Sequence, residues 1–279
     1  MTTLTHELGR PFPRLARNPL GPLATLARRR FHLTVRTPRE LFVPLLTPIL
    51  FALVIAPALK AALHTSSAYE AYVATGTVGL LIPLNTMFAG LSVLVDRESG
   101  AQRELLAAPV HRSLLVLGNL IVAFAVTALQ IGVLIGAARA RGIHFEIDGA
   151  GVLWFLAAGS LFTVGMYGAA ESLAARVPRA EEYISRVPAI AIVPWFLAGS
   201  LFPITALPTF LTWIARFLPL THALALVRYG LLNDSTGLHN IWRMNSTPEM
   251  AVLSLGVVAA FAAALTAAGI RLFNRSAVS

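Results

Sequence analysis

A chain of 279 residues with 56% hydrophobic and only 13% charged residues has too little charge to cover a water-facing globule, where about a quarter of residues are charged. Its solvent is therefore largely lipid. The net charge of +9 is carried by arginines scattered between long apolar runs rather than gathered on one face, which argues against a nucleic-acid partner. The absence of cysteine excludes a disulfide framework, a thiolate metal site and a cysteine nucleophile.

Residues 1–40 form a first unit, rich in arginine and proline, ahead of a membrane domain covering 41–279. A cleavable signal peptide turns apolar almost at once, so this unit is read as a cytoplasmic N-terminal segment. Within it, residues 20–36 predict an amphipathic helix on the inner membrane surface. Leu20, Leu23, Ala24, Ala27 and Phe31 share one face, and Arg28, Arg29, Arg30 and Arg36 supply cations for anionic headgroups. A solvated linker is the competing reading.

Six apolar segments follow, at 41–63, 71–95, 113–138, 149–175, 187–204 and 250–273. Crossing the hydrocarbon layer takes about 20 helical residues, and only helices or closed barrels satisfy their backbone in lipid. The alternation of a membrane barrel is missing, so the expected fold class is an all-α membrane protein with six transmembrane helices. With both termini cytoplasmic, 16 of the 22 basic residues lie inside. The other six are Lys60, Arg139, Arg141, Arg216, Arg228 and Arg243. The bias predicts an N-in, C-in topology.

The fifth segment runs on without charge as far as Ala215, broken by Pro203 and Pro208. Proline removes a ladder donor and clashes with the preceding turn. The span is therefore expected to end near Ile204, followed by two short helices, 208–217 and 221–232, dipping into the outer leaflet. Broken backbone at that depth must be buried by other protein. A single kinked helix is the alternative.

Several chemistries lack their residues. A Walker A loop needs a glycine-lysine pair, and the only lysine, Lys60, follows Leu59, so the chain is expected not to hydrolyse ATP. The seven histidines stand apart and form no HExxH, so no metal site is expected. Glu171 is the one carboxylate inside a predicted span, little more than a turn from Arg176. It reads as a local ion pair or a hydrogen bond to a neighbouring helix rather than a proton-coupling group. Asn85, Phe88, Gln130 and Ser160 are candidate pathway residues, with interhelical hydrogen bonding as the plainer role of the polar three.

The segment 96–112, DRESGAQRELLAAPVHR, predicts one or two helical turns between Gly100 and Pro109, since a residue preceding proline is pushed out of the helical region. Leu105 and Leu106 form an apolar knob with Arg97, Glu98, Arg103 and Glu104 around it, a pattern suited to docking into a soluble partner. The second motif is LAGSLFPITALPTFLTWIARFLPLTHALALVR, residues 197–228. Together they resemble the type-2 permease family of ATP-binding-cassette exporters. Arg97, Glu98, Gly100, Glu104, Leu106, Pro109, Val110 and Arg112 match the first family pattern. Pro203, Leu207, Pro208, Pro219, Leu220, Thr221, His222, Ala223 and Arg228 match the second. Two departures stand out. Gly199 and Ser200 occupy the place of a common Ser-Gly, and Glu181, Glu182 and Tyr183 replace small and amide residues. No role is carried onto those three.

The resemblance implies the membrane subunit of an ATP-driven exporter, a permease without its own nucleotide site or catalytic residues. Its partners would be a second permease subunit, the same chain or a related one, and separate ATPase subunits that bind ATP and magnesium. Segment 96–112 would be the coupling helix touching the ATPase through Arg97, Glu98, Gly100, Arg103, Glu104, Leu105, Leu106 and Pro109. Pro203, Leu207, Pro208, Pro219, Thr221 and His222 would form an outer gate. The implied cargo is an amphipathic drug, lipid or glycolipid, with daunorubicin-resistance exporters nearest in size and motif. The heavy use of arginine and alanine, with lysine almost unused, fits a GC-rich bacterial genome, and the expected location is the bacterial cell (inner) membrane. The alternative, an ion-coupled secondary carrier of small hydrophobic solutes, accounts for six spans but not for the docking segment.

Overall fold

The computed structural model describes residues 20–36, 46, 49–64, 66–101, 105, 107 and 112–276, and these are helical throughout apart from short connections. Helix α1 is Leu20–Arg36. A wide-turn π segment, Phe51–Ile55, leads into α2, Ala56–Ala62. Then come α3, Ser67–Glu98, α4, Arg112–Ala140, and α5, Gly149–Ala174. Helix α6 is Ala180–Leu197. A 3₁₀ turn at Ile204–Ala206 precedes α7, Thr209–Phe217, and α8, Pro219–Leu232. The chain closes with α9, Thr236–Trp242, and α10, Thr247–Ser276.

Four helices are long and apolar enough to cross a membrane: Ala68–Glu98, Ser113–Ala140, Gly149–Ala174 and Thr247–Phe273. The pair α7 and α8, bent by 79° at Leu218, would make a fifth if counted as one broken span. Seven residues of the first predicted span, 41–45, 47 and 48, lie outside the described residues. Its described part contains Pro57, which has no N–H to offer the Leu53 carbonyl one turn earlier. Arg141 at the far end of α4 donates to that carbonyl instead, at 3.3 Å.

Helix α6 departs most from expectation, beginning and ending seven residues earlier than 187–204. Its first half carries Glu181, Glu182 and Arg186, charges read from sequence as loop. In the structure Arg179 is extended and the two glutamates occupy the first helical turn, where carboxylates oppose the positive end of the helix dipole. The other end is set by Gly199, in the left-handed region at φ +80°, four residues before Pro203.

Helix α5 sits at the centre, packed against α10, α3 and α8. Small residues permit the close contacts. A Cβ at Gly168 would lie 2.6 Å from the α10 backbone at Leu265, and one at Gly269 would lie 2.9 Å from the Gly168 carbonyl. In lipid, where apolar burial adds little between helices, such approach supplies the packing attraction. The α3 start, the α4 end and α2 are tied by charge: Glu70, buried, is 2.9 Å from Lys60 and 3.8 Å from Arg141. This end of the bundle is called the Glu70 end below, and the opposite one the Arg97 end.

Candidate functional site

At the Arg97 end, α3 runs straight into the segment 96–112. Of the coupling-helix candidates, Arg103, Glu104, Leu106 and Pro109 lie outside the described residues. Arg97, Glu98, Gly100 and Leu105 are described. The Arg97 guanidinium reaches across to the loop between α5 and α6. It donates to the carbonyls of Ala174 at 3.1 Å, Val177 at 2.5 Å and Pro178 at 3.3 Å. The Ala174 carbonyl is at the end of α5, where helical partners run out, and those of Val177 and Pro178 lie in the loop, so one planar cation caps the helix terminus and fixes the loop beyond it. The neighbouring Glu98 accepts the backbone N–H of Ala180, at 3.0 Å, which starts α6. Gly100 then turns the chain at φ +81°, and Leu105 is half-buried.

Ten residues up α3, Tyr183 of α6 is fully buried and donates to the Met87 carbonyl at 2.8 Å. Gly90 makes room: a Cβ there would lie 2.4 Å from the tyrosine hydroxyl. Tyr183, a departure from the family pattern, thus seats α6 in a notch of α3. The loop clasp and this notch together join α3, α5 and α6 into one unit.

In the middle of the bundle, Asn85 donates to Gln130 at 2.5 Å, linking α3 to α4. Both are buried. Ser160 is half-buried, and Phe88 is exposed at the outside of the single chain. Of the four pathway candidates, the structure joins Asn85 and Gln130 by a hydrogen bond, while Phe88 faces outward. Glu171 is buried and accepts the hydroxyl of Tyr167, one turn earlier on its own helix. The expected ion pair with Arg176 or bond to another helix is not what forms: four residues along α5 place phenol and carboxylate on one face.

The Glu70 end holds the broken segment after α6. Three successive carbonyls there are each satisfied by a side chain. Tyr72 donates to Gly199 at 2.8 Å, Arg228 to Ser200 at 3.0 Å and Tyr69 to Leu201 at 2.9 Å. Arg228 is buried, with its guanidinium 3.5 Å from the centre of the Tyr72 ring, a cation–π contact in a desolvated place. Trp195 donates to Gly76 at 2.8 Å. A Cβ on Gly76 would lie 2.1 Å from the Ser200 oxygen, so the broken segment meets α3 backbone to backbone. Tyr69, Tyr72 and Gly76 lie in no motif, and the sequence did not single them out.

The predicted gate residues follow the clasped segment along the chain. Pro203 leads into the 3₁₀ turn and Leu207 out of it, Pro208 precedes α7, and Pro219 opens α8. Thr221 is buried. His222 is buried between the Arg216 carbonyl, 2.9 Å from Nε2, and the Ser254 hydroxyl, 3.2 Å from Nδ1. It therefore ties the α7–α8 elbow to α10. The outward face of α7 presents Phe210, Trp213, Ile214 and Phe217, all exposed.

A family model described as ABC-2 type transporter matches residues 22–232. A comparison with curated proteins finds no match.

Proposed function

The chain belongs to the ABC-2 type transporter family, and on that premise we propose how it works as the transmembrane component of an ABC transporter. It is a multi-pass membrane protein, and family membership implies an ABC ATPase partner. In our reading it has six spans with both termini cytoplasmic, and two copies, or this chain and a related one, enclose a pathway for amphipathic drugs, lipids or glycolipids. Two ATPase subunits supply the hydrolysis, binding ATP and magnesium outside this chain. The Arg97 end faces the cytoplasm and the Glu70 end faces out.

The observation that carries this reading is the double attachment of Arg97 and Glu98 to the loop between α5 and α6. Segment 96–112 is the coupling helix, with Arg103, Glu104, Leu105 and Leu106 meeting the ATPase. Arg97 and Glu98 turn back into their own chain. They act as the joint through which a push on the segment reaches α5 and α6 together. At the far end of α6 the clasped segment 199–201 and the elbow of α7 and α8 form the outer gate, opened when α6 shifts against α3.

The test is a mild-detergent pull-down of the tagged chain from native membranes, with mass spectrometry of what comes along. A stoichiometric subunit with a Walker A loop supports the reading, and a second membrane chain indicates a heterodimer. Purification alone, under conditions that keep other complexes whole, refutes it. Leu106→Asp is expected to release the ATPase or uncouple its hydrolysis from export, and a normal export rate in that variant removes the coupling assignment. The alternative of an ion-coupled carrier draws on Glu171, one of whose carboxylate oxygens is buried without a hydrogen-bond partner. It leaves the clasp at Arg97 unexplained.

A further inference from the structure

At the Arg97 end, α1 lies across the first turns of α4, with Leu26 above Gly118, where a Cβ would come within 3.2 Å of it. Leu23, Leu26, Ala27, Arg30 and Thr34 face the bundle, half-buried or buried. The rest of the helix is largely exposed. By helical spacing Leu20, Ala24, Phe31 and Val35 fall in one stripe flanking the buried side, and Arg28, His32 and Arg36 lie beyond it, on the side away from the bundle. No acidic residue occurs in α1. An apolar stripe beside a cationic edge is how a helix rests in the membrane interface.

Between α1 and the bundle runs a shallow groove whose apolar walls include Leu26, Val93, Leu115 and Phe273. Two opposite charges stand at its mouth, Arg29 from α1 and Asp96 from the end of α3, 3.7 Å apart. That is longer than a hydrogen bond, and the side chains are 37% and 17% exposed, so the pair is loose, with the arginine the more open partner. A groove with apolar walls and one cation beside one anion, placed under an interfacial helix, matches a molecule with a greasy body and a zwitterionic head.

We propose that this groove binds one ethanolamine phospholipid, its phosphate on Arg29, its ammonium on Asp96 and an acyl chain along the apolar walls. The headgroup exchanges one long ion pair for two charge-assisted hydrogen bonds, the stronger kind. A choline headgroup has no N–H to give Asp96. A glycerol headgroup brings the phosphate but no cation for the carboxylate. Leu105 lines the same groove, so the lipid touches the segment that leads to the ATPase, and its occupancy biases the position of that segment. The proposal rests on α1 lying at the membrane surface. It does not require transport, so it can fail while the exporter reading stands.

The full chain, purified in mild detergent, is offered phosphatidylethanolamine, phosphatidylglycerol and phosphatidylcholine with identical acyl chains, and retained lipid is counted by native mass spectrometry. One phosphatidylethanolamine is retained about tenfold better than phosphatidylcholine, the scale of one charge-assisted bond. Arg29→Gln brings that retention down to the choline level, and Arg29→Lys restores part of it. Asp96→Asn removes the preference over phosphatidylglycerol. Unchanged thermal unfolding of the lipid-free variants shows that the helix is still seated. Equal retention of the ethanolamine and choline lipids by the parent chain overturns the proposal, as does undiminished retention in Arg29→Gln. Stronger retention of phosphatidylglycerol means that plain charge is at work and overturns the paired headgroup. If Arg29→Gln keeps the lipid but loses the ATPase subunit, Arg29 is a protein contact instead.

Discussion

Replacing Gly90 by alanine puts a methyl group 2.4 Å from the Tyr183 hydroxyl and 2.8 Å from the Ala170 Cβ. Carbon needs about 3.5 Å from its neighbours, so the tyrosine tip must retreat by about 1 Å. That retreat takes its 2.8 Å bond to the Met87 carbonyl beyond hydrogen-bond range. The lost bond costs about 1 kcal/mol, and the squeeze against Ala170 adds about 1–3 kcal/mol of overpacking. Gly90→Ala should therefore destabilise by about 2–4 kcal/mol in total, and Tyr183→Phe by about 1 kcal/mol. The two changes act through the same hydroxyl, so the double variant should be less damaged than the sum by about 1 kcal/mol. The assay is reversible unfolding in mixed micelles, followed by circular dichroism, for all four corners of the cycle. Additivity within about 0.3 kcal/mol would refute the notch. The double variant should then be about as stable as Gly90→Ala alone and export no less than it, because the hydroxyl bond that Tyr183→Phe removes is already lost once the alanine is in place.

Three other perturbations probe the remaining joints. Arg228→Lys keeps the charge but not the planar fork that serves the Ser200 carbonyl and lies on Tyr72. Export should fall and unfolding free energy should drop by about 1–3 kcal/mol, with ATPase binding intact; normal export would show that the clasp is not part of the gate. Glu70→Gln leaves Lys60 and Arg141 without their shared carboxylate. Because both cations are about a third exposed, the cost in a denaturation series should be only about 1–2 kcal/mol, and no change would mean the pairs contribute nothing. Pro208→Ala relaxes the entry to α7 and should slow export while the ATPase subunit still co-purifies; an unchanged rate counts against a gate there.

Hydropathy and spacing were enough for the long apolar helices. The predicted 113–138 and 149–175 differ from α4 and α5 by no more than two residues at any end, and the apolar periodicity of 20–36 coincides with α1. Helix α6 was misjudged because its first turns are charged. Glu181 and Glu182 look like loop until Glu98, from another helix, is seen accepting the N–H that begins α6. The break after the fifth predicted span was legible from Pro203 and Pro208, but what holds it was not. Tyr69, Tyr72 and Arg228 meet over carbonyls well over a hundred residues from the two tyrosines, a convergence that local pattern does not encode. Tyr167 and Glu171, by contrast, are four residues apart on one helix and were within reach of spacing alone.

The meeting of Ser200 with Gly76 has a consequence for how the segment can move. Side chains at a joint act as springs: they change rotamer and let neighbouring parts slide by small amounts. Here two main chains touch with no side chain between them, and a tryptophan, two tyrosines and an arginine brace the contact through hydrogen bonds. Such a joint has no soft intermediate setting, and tightly packed contacts switch rather than stretch. Distance traces between labels on α3 and on the segment after α6 should therefore jump between two levels instead of drifting, with dwell times that report how often all the braces let go at once.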